Sequence, residues 1–144
     1  ATRNAVQPDW VYPAGILEDP QGEVCATPTI SAARIMLGGD IVIGLGLNQR
    51  AIEFTSATSV RMWDSTNLPS ITVPSIVGRS ARLCGSWGGS GLAIHEVGSA
   101  PSTSAYDGTI TTGTILHIGH NQGQNQCNCG IKDVRLCRAP GGCE

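Results

Sequence analysis

The chain has little charge and few aromatic residues: of its 144 residues, 14% are charged and 4% are Phe, Trp or Tyr. The formal net charge is −2 and no cluster of Lys or Arg occurs, so the basic surface typical of nucleic-acid binding proteins is missing. No apolar run approaches the roughly 18 residues that a membrane-spanning helix needs. We therefore expect neither a nucleic-acid partner nor a membrane.

Sequence patterns of common catalytic and cofactor sites are also missing. The chain contains no G-x-S-x-G nucleophile elbow, no H-E-x-x-H zinc helix and no phosphate-binding glycine loop with its Lys. Its carboxylates stand singly along the chain rather than in alternating pairs. We expect a protein that is not an enzyme and that needs no cofactor.

Turn residues and β-branched residues are abundant instead. The 19 Gly and 8 Pro separate short segments rich in Val, Ile and Thr. Residues 38–54 alternate apolar and polar side chains, with Ile41, Ile43 and Leu45 on one face and a turn at Asn48-Gln49, which predicts a hairpin. Further strands are predicted within residues 59–64, 80–87, 91–97, 114–120 and 130–137. This pattern indicates an all-β antiparallel sandwich or barrel.

Two Pro-containing segments interrupt this pattern. Residues 1–24 are predicted to form an extended N-terminal arm, because Pro removes a backbone donor and restricts the residue before it. The arm either covers the domain's own sheet or reaches a neighbouring subunit, and residues 25–144 form the β-sandwich domain. Pro69 and Pro74 predict an edge strand or a crossing loop between them. The apolar residues expected to mediate assembly through the arm are Trp10, Val11, Tyr12, Ile16 and Leu17.

The six cysteines are an even number, which permits full pairing in many ways. Four of them lie close to the C-terminus and are the disulfide candidates: Cys127, Cys129, Cys137 and Cys143. A bridge from Cys143 to Cys137 or to the 127–129 turn would hold the chain end. The same four cysteines lack the paired C-x2–4-C spacing of zinc sites, so we expect disulfides or free buried thiols rather than a zinc-thiolate centre.

The histidines and acidic residues give no metal assignment. His117 and His120 are three residues apart on a predicted strand, so they should point to opposite faces and not share an ion unless a turn separates them. His95 beside Glu96 is expected to be an ordinary surface or hydrogen-bonded histidine. The residues suited by type to calcium form no acidic cluster: Asp40, Asp64, Asn67 and Asp107.

Two segments resemble a known fold family. Residues 85–98, "GSWGGSGLAIHEVG", and residues 115–142, "ILHIGHNQGQNQCNCGIKDVRLCRAPGG", are similar to the C-terminal half of concanavalin A-like, laminin-G-like jelly-roll domains. The second segment matches their hairpin of the form L-x-I-G, polar turn, N-G-x-I-x-x-V-R-L, except that Cys129 stands where the family has Gly. The matching residues are Leu116, Ile118, Gly119, Asn128, Ile131, Val134, Arg135 and Leu136.

The resemblance implies a fold and a function. The fold is an antiparallel two-sheet sandwich, and similar domains recur in structural proteins of tailed bacteriophages. The expected function is a non-catalytic virion protein, a capsid-surface decoration (cement) protein or a small tail or fibre component. Its partner would be the major capsid protein or another virion protein, and it would form a homo-oligomer, with a trimer favoured. Glycosidases of this fold carry an E-x-D-x-E strand, which is absent here.

The alternative is a secreted, extracellular carbohydrate-binding module that recognises a cell-surface glycan. Trp63 and Tyr106 are the aromatics expected to stack on sugar rings. The amides expected to bind sugar hydroxyls are Asn121, Gln122, Gln124 and Asn125. The same polar run also fits a simple solvated loop. The first residues show no basic segment followed by an apolar one, so we expect a virion location rather than secretion through a signal peptide.

Overall fold

A computed structural model of the chain describes residues 9–11, 21–30, 39–45, 50–110, 115–120, 127 and 129–144. These residues form eleven β-strands. The strands are β1 (Asp9–Val11), β2 (Gly22–Thr29), β3 (Asp40–Gly44), β4 (Arg50–Ser56), β5 (Ser59–Asp64), β6 (Ser70–Thr72), β7 (Leu83–Gly88), β8 (Gly91–Glu96), β9 (Ser102–Ser104), β10 (Ile115–Ile118) and β11 (Gly130–Cys137). Within the described ranges, no helix has the length and apolar character to cross a membrane.

The strands build two antiparallel sheets. The first sheet has the order β1-β10-β3-β4-β5-β6, and the second sheet has the order β11-β2-β7-β8-β9. All pairs of neighbouring strands are antiparallel. The predicted all-β, two-sheet antiparallel sandwich is therefore confirmed.

Strands with a strict alternation lie where the sequence predicts them. In β5, Val60 and Met62 are buried between the sheets, while Arg61 and Trp63 point outwards. The same period of two appears in β8, because successive strand residues face opposite sides of a sheet. Strand β6 lies between the two prolines of its segment and, among the described residues, pairs with β5 alone, so it is the edge strand, one of the two alternatives that the prolines left open.

The core lies between the two sheets and requires a glycine at position 85. Phe54 and Met62 of the first sheet pack in one cluster with Leu83 and Trp87 of the second sheet, and all four are buried. At Gly85 an added Cβ would lie 2.6 Å from the Met62 sulfur. A side chain at this position would push apart well-packed groups, so glycine is needed for the close approach of the sheets.

The predicted hairpin of residues 38–54 forms from β3 and β4, but its register shifts between Ile41 and Ile43. Ile43 and Leu45 belong to the core cluster together with Val42. The bulge therefore interrupts the alternation that was expected to keep Ile41 and Ile43 on one face. The predicted turn at residues 48–49 lies outside the described residues.

The C-terminal strands do not form the hairpin that the sequence predicted. Strand β10 pairs with β1 and β3 in the first sheet, whereas β11 pairs with β2 in the second sheet. The chain therefore crosses between the sheets after β10 instead of returning beside it. Each strand buries one apolar face whether it forms a hairpin or crosses between the sheets. The alternation of apolar and polar residues in the sequence therefore does not distinguish the two arrangements.

The predicted boundary between arm and sandwich, at residues 24 and 25, falls inside β2. That strand begins at Gly22, and Val24 is fully buried in the core. Further upstream, Asp9–Val11 forms β1 and pairs with β10 of the chain's own sheet. Trp10 packs against the core, whereas Val11 is 69% exposed. Tyr12, Ile16 and Leu17 lie outside the described residues.

Three disulfides connect the six cysteines, in the pairs Cys25–Cys84, Cys127–Cys129 and Cys137–Cys143. The first joins residues directly opposite each other in β2 and β7. The third connects β11 to the C-terminal tail, residues 138–144, and is one of the two tail bridges that the sequence left open. Because all of these thiols are bonded to one another, they leave no thiolate for a zinc site.

The C-terminal tail covers the outer face of the second sheet. Cys143 packs there against the Cys25–Cys84 disulfide and is buried. Beside them Glu23, 1% exposed, accepts hydrogen bonds from the backbone N–H groups of Gly141 at 2.8 Å and Cys143 at 2.9 Å. Arg82 donates to the Cys143 carbonyl at 3.1 Å. The tail is thus held by a disulfide and by a buried carboxylate.

Candidate functional site

The two predicted sugar-stacking aromatics lie near each other because the loop that carries Tyr106 contacts Asp64, the residue after Trp63 at the end of β5. The backbone N–H of Asp107, the residue after Tyr106, donates to Asp64 Oδ2 at 2.9 Å. The hydroxyl of Thr109 donates to the Asp64 carbonyl at 3.0 Å. The structure therefore brings the neighbourhoods of Trp63 and Tyr106 together at one end of the first sheet.

The two aromatic side chains do not form a shared open platform. The Tyr106 hydroxyl accepts a hydrogen bond from the Ile110 N–H at 3.0 Å, and its ring packs against the core. Burial raises the pKa of Tyr106, so the phenol stays protonated at neutral pH. The Arg61 guanidinium lies 4.9 Å from the Trp63 ring centroid and covers one ring face. The four amide candidates of residues 121–125 lie outside the described residues.

Asp64, one of the calcium candidates, is a buried loop anchor. Its carboxylate accepts hydrogen bonds from the N–H groups of Thr66 at 3.0 Å, Asn67 at 2.6 Å and Asp107 at 2.9 Å. The Asn67 side-chain amide donates to the same carboxylate at 3.1 Å. These donors occupy the oxygen lone pairs that a cation would need. Asp40, another calcium candidate, does not lie beside Asp64. It pairs in register with Phe54 of β4, and Phe54 pairs with Val60 of β5, which is four residues before Asp64.

The environment of Asp64 also lowers its pKa. Burial acts to raise the pKa of this carboxyl, but the hydrogen bonds from Asn67, Asp107 and Thr66 act in the opposite direction and together outweigh it. The folded protein therefore favours the ionised carboxylate more than the unfolded chain does. It follows that Asp64 stabilises the fold above about pH 4, the ordinary range of an Asp carboxyl, and that this stabilisation is lost as the pH falls through the lowered folded-state pKa.

We expect Asp64→Asn to lower the free energy of unfolding at pH 7 by about 1–3 kcal/mol, because an amide nitrogen replaces one acceptor oxygen. The difference from wild type should shrink as the pH falls below about 4. Urea unfolding between pH 2 and 7 measures it. The matched control is Asp133→Asn, since Asp133 is exposed and its φ of 53° suits Asn equally well. A constant difference at all pH values would contradict the assigned role.

A second cluster of polar side chains lies at the β1 edge of the first sheet. Asp9 Oδ1 is 2.7 Å from His117 Nδ1 and 3.1 Å from His120 Nε2. The centroids of the two imidazole rings are 5.0 Å apart. The sequence-based expectation that His117 and His120 point apart is corrected here, because Gly119 adopts a φ of +76° and turns the chain between them. The positive φ that a glycine permits was the signal available in the sequence.

The third histidine is separate from this cluster. His95 lies on β8 of the second sheet, and its Nε2 is hydrogen-bonded to the Glu144 carboxylate of the C-terminal tail. No pattern in the sequence points to a chemical role for Asp9, which stands in the Pro-containing segment of residues 1–24. Its place beside His117 depends on the pairing of β1 with β10, residues that are more than a hundred positions apart.

Comparison with known proteins identifies the fold. No protein-family model and no curated protein sequence matches the chain. A mutant of Trypanosoma rangeli sialidase displaying trans-sialidase activity superposes with a TM-score of 0.61 at 12% identity, over 83% of this chain and 21% of the sialidase chain. Mouse laminin alpha1 chain, domains LG4-5, superposes with a TM-score of 0.54 at 11% identity, over 92% of this chain and 41% of the laminin chain.

The chain thus spans about a fifth of the sialidase and two fifths of the laminin fragment. At these identities the likeness concerns the fold alone. The chain has a two-sheet jelly-roll β-sandwich fold like that of the laminin LG domains, which is the fold implied by the sequence resemblance.

Proposed function

We propose that this chain is a non-catalytic structural protein of a tailed-bacteriophage virion, either a capsid-surface decoration protein or a small tail or fibre component. In this proposal the sandwich faces outwards, and the N-terminal arm connects it to the particle. The support from the sequence is the resemblance of residues 85–98 and 115–142 to domains of phage structural proteins. The support from the structure is the position of β1, the part of the arm that forms a strand.

The position of β1 is the observation that carries the proposal. This strand has three residues and is the terminal strand of the first sheet. Among the described residues, its only strand partner is β10. Exposed sheet edges are templates for pairing with another chain, and strand addition is a common mode of protein recognition. Val11, exposed on this strand, adds an apolar contact for a neighbouring molecule.

The proposed neighbour is the major capsid protein, another virion protein or a second copy of this chain. A homo-oligomer with closed symmetry, with a trimer favoured, follows if β1 is exchanged between copies, because the strand then makes in its neighbour the contacts that it makes here. The three disulfides also fit a protein on the outside of a particle, since disulfides persist on virion surfaces.

The direct test is to sediment particles from the source and to search them for this chain by peptide mass spectrometry. We expect the chain to co-sediment, in amounts comparable to the major capsid subunit for a decoration protein or in a few copies for a tail or fibre component. Absence from the particles would overturn the proposal and favour the secreted glycan-binding module, for which retention on glycans and its loss in Trp63→Ala are the next measurements.

We also expect Val11→Asp to reduce binding of the purified chain to particles at least tenfold, because the charge disrupts an apolar contact at the β1 edge. The matched control is Val97→Asp, since Val97 is also exposed, at 41%, but follows β8 in the second sheet. Circular dichroism checks that both variants are folded. Equal binding of the two variants would contradict an attachment through β1.

A further inference from the structure

We propose that Asp9, His117 and His120 form a binding site for a divalent transition-metal ion such as Zn²⁺, and that the bound ion fastens β1 to the sandwich. The three residues come from two segments at the edge of the first sheet. Their ligand atoms, one carboxylate oxygen and two imidazole nitrogens, all lie within 4.8 Å of one another. This inference concerns a site and does not depend on the proposed function.

The backbone holds the three side chains in place. Asp9 and His117 are directly opposite each other in the register of β1 and β10, so their side chains share one face of the sheet. The turn at Gly119 then brings His120 back beside Asp9. That turn is held on both sides: the Gly119 N–H donates to the Val42 carbonyl at 2.7 Å, and the Gly119 carbonyl accepts from the Cys127 N–H at 2.8 Å.

The distances are close to those of a metal site. With metal–ligand bonds of about 2.0–2.1 Å, a tetrahedral zinc ion places its ligand atoms about 3.3 Å from one another. Asp9 Oδ1 lies 2.7 Å and 3.1 Å from the two imidazole nitrogens. Both distances are within about 0.6 Å of that value, and the two imidazole nitrogens lie within 4.8 Å of each other. Asp9, with a side chain 41% exposed, has the freedom to adjust to an ion.

The donor set selects the class of ion. Two imidazole nitrogens and one carboxylate suit zinc and the other late first-row ions, whereas calcium takes six to eight oxygens and magnesium retains water. Three protein ligands leave a position for water or for a donor from another molecule. His120 is 3% exposed, so much of the site is shielded from solvent, while the exposed side of Asp9 leaves a path for the ion.

The other group of potential ligands in the described chain is Glu23 with Cys25 and Cys84. This group is not a candidate metal site, because the two cysteines are joined in a disulfide and offer no thiolate. The carboxylate of Glu23 already accepts two backbone N–H groups of the C-terminal tail. The Asp9 site therefore has the better case for a metal.

The consequence concerns β1. This strand is short, and it pairs with the sandwich through β10. An ion held by Asp9 on β1 and by both histidines links the strand to the sheet through coordination bonds, and so stabilises the arrangement in which β1 stays on its own sandwich. Without the ion, the same strand is more easily released to a neighbouring molecule.

The test is isothermal titration calorimetry of the full chain, with its disulfides intact and no polyhistidine tag, with ZnCl2 at pH 7.5. We expect saturable binding of one ion per chain and none of MgCl2 at the same concentrations. Asp9→Ala and His117→Ala should each weaken zinc binding at least tenfold. His95→Ala is the matched control and should bind as wild type, because His95 lies on the second sheet and pairs with Glu144.

A second measurement tests whether the bound ion also stabilises the attachment of β1 to β10. We expect hydrogen exchange of the amides of β1 and β10 to slow at least fivefold with zinc, and to remain unchanged with zinc in Asp9→Ala. Because Asp9 is exposed, this variant should fold, which circular dichroism checks. No zinc binding by wild type, or equal affinity in wild type and Asp9→Ala, would overturn the site. Zinc binding without slower exchange in β1 would overturn its fastening role.

Discussion

Replacing Cys25 and Cys84 together by alanine should lower the free energy of unfolding by about 4 kcal/mol. This disulfide connects residues 59 positions apart, so it restricts the unfolded chain more than the other two. The separations in Cys137–Cys143 and Cys127–Cys129 are 6 and 2 residues. Loop-closure entropy then predicts losses of roughly 2 kcal/mol and roughly 1 kcal/mol for these pairs.

The three double variants serve as controls for one another. Guanidinium unfolding of each, against the oxidised wild type, measures the order of the losses, which is more robust than their absolute size. We expect the Cys25/Cys84 variant to lose the most free energy of unfolding and the Cys127/Cys129 variant to lose the least. If the Cys137/Cys143 variant costs more than the Cys25/Cys84 variant, packing of the C-terminal tail outweighs the entropy of the unfolded chain.

Replacing Glu23 by alanine should lower the free energy of unfolding by about 3 kcal/mol or more. The variant leaves the N–H groups of Gly141 and Cys143 without their carboxylate acceptor. Hydrogen bonds to a charged group contribute roughly 1.5–3 kcal/mol each, and a buried donor left unsatisfied adds the cost of its desolvation. Glu23→Gln keeps one acceptor oxygen, so its loss should be smaller. Urea unfolding at pH 7 measures both variants.

The control for Glu23 is Glu144→Gln, in the same tail. Glu144 is exposed and pairs with His95 at the surface, so its loss should stay within about 1 kcal/mol. We also expect faster hydrogen exchange at Cys143 in Glu23→Ala, because the tail separates from β2. Equal losses in Glu23→Ala and Glu144→Gln, or unchanged exchange at Cys143, would show that the disulfide alone holds the tail.

The local pattern of the sequence was enough to predict most strands of the sandwich. In β5 and β8 the alternation of apolar and polar residues reports burial on one face, which is a property of each strand taken alone. The two prolines that flank β6 restrict the chain wherever they occur, so an edge strand was predictable there as well. The expected sandwich followed from these local rules and from the family resemblance.

Long-range pairing was not predictable in the same way. The alternation in β10 and β11 shows which side chains are buried but not which sheet receives each strand, so the expected hairpin was replaced by a crossing between sheets. The pairing of the cysteines depends on the same contacts: Cys25 faces Cys84 only because β2 lies beside β7. The predicted arm boundary falls within β2 because the prolines of residues 1–24 indicate an irregular extended segment, whereas β2 is fixed by its pairing with the distant strands β7 and β11.

The sequence by itself determined the strand-rich fold, the edge position of the Pro-flanked strand and the low charge of the surface, because these depend on the nature of neighbouring residues. Only the tertiary structure decided that Asp9, His117 and His120 meet, that Asp64 joins two loops, and that Glu23 binds the C-terminal tail. Each of these contacts requires a backbone turn or a strand pairing between distant residues. Such pairings are selected by the packing of the whole core, which a local pattern does not contain.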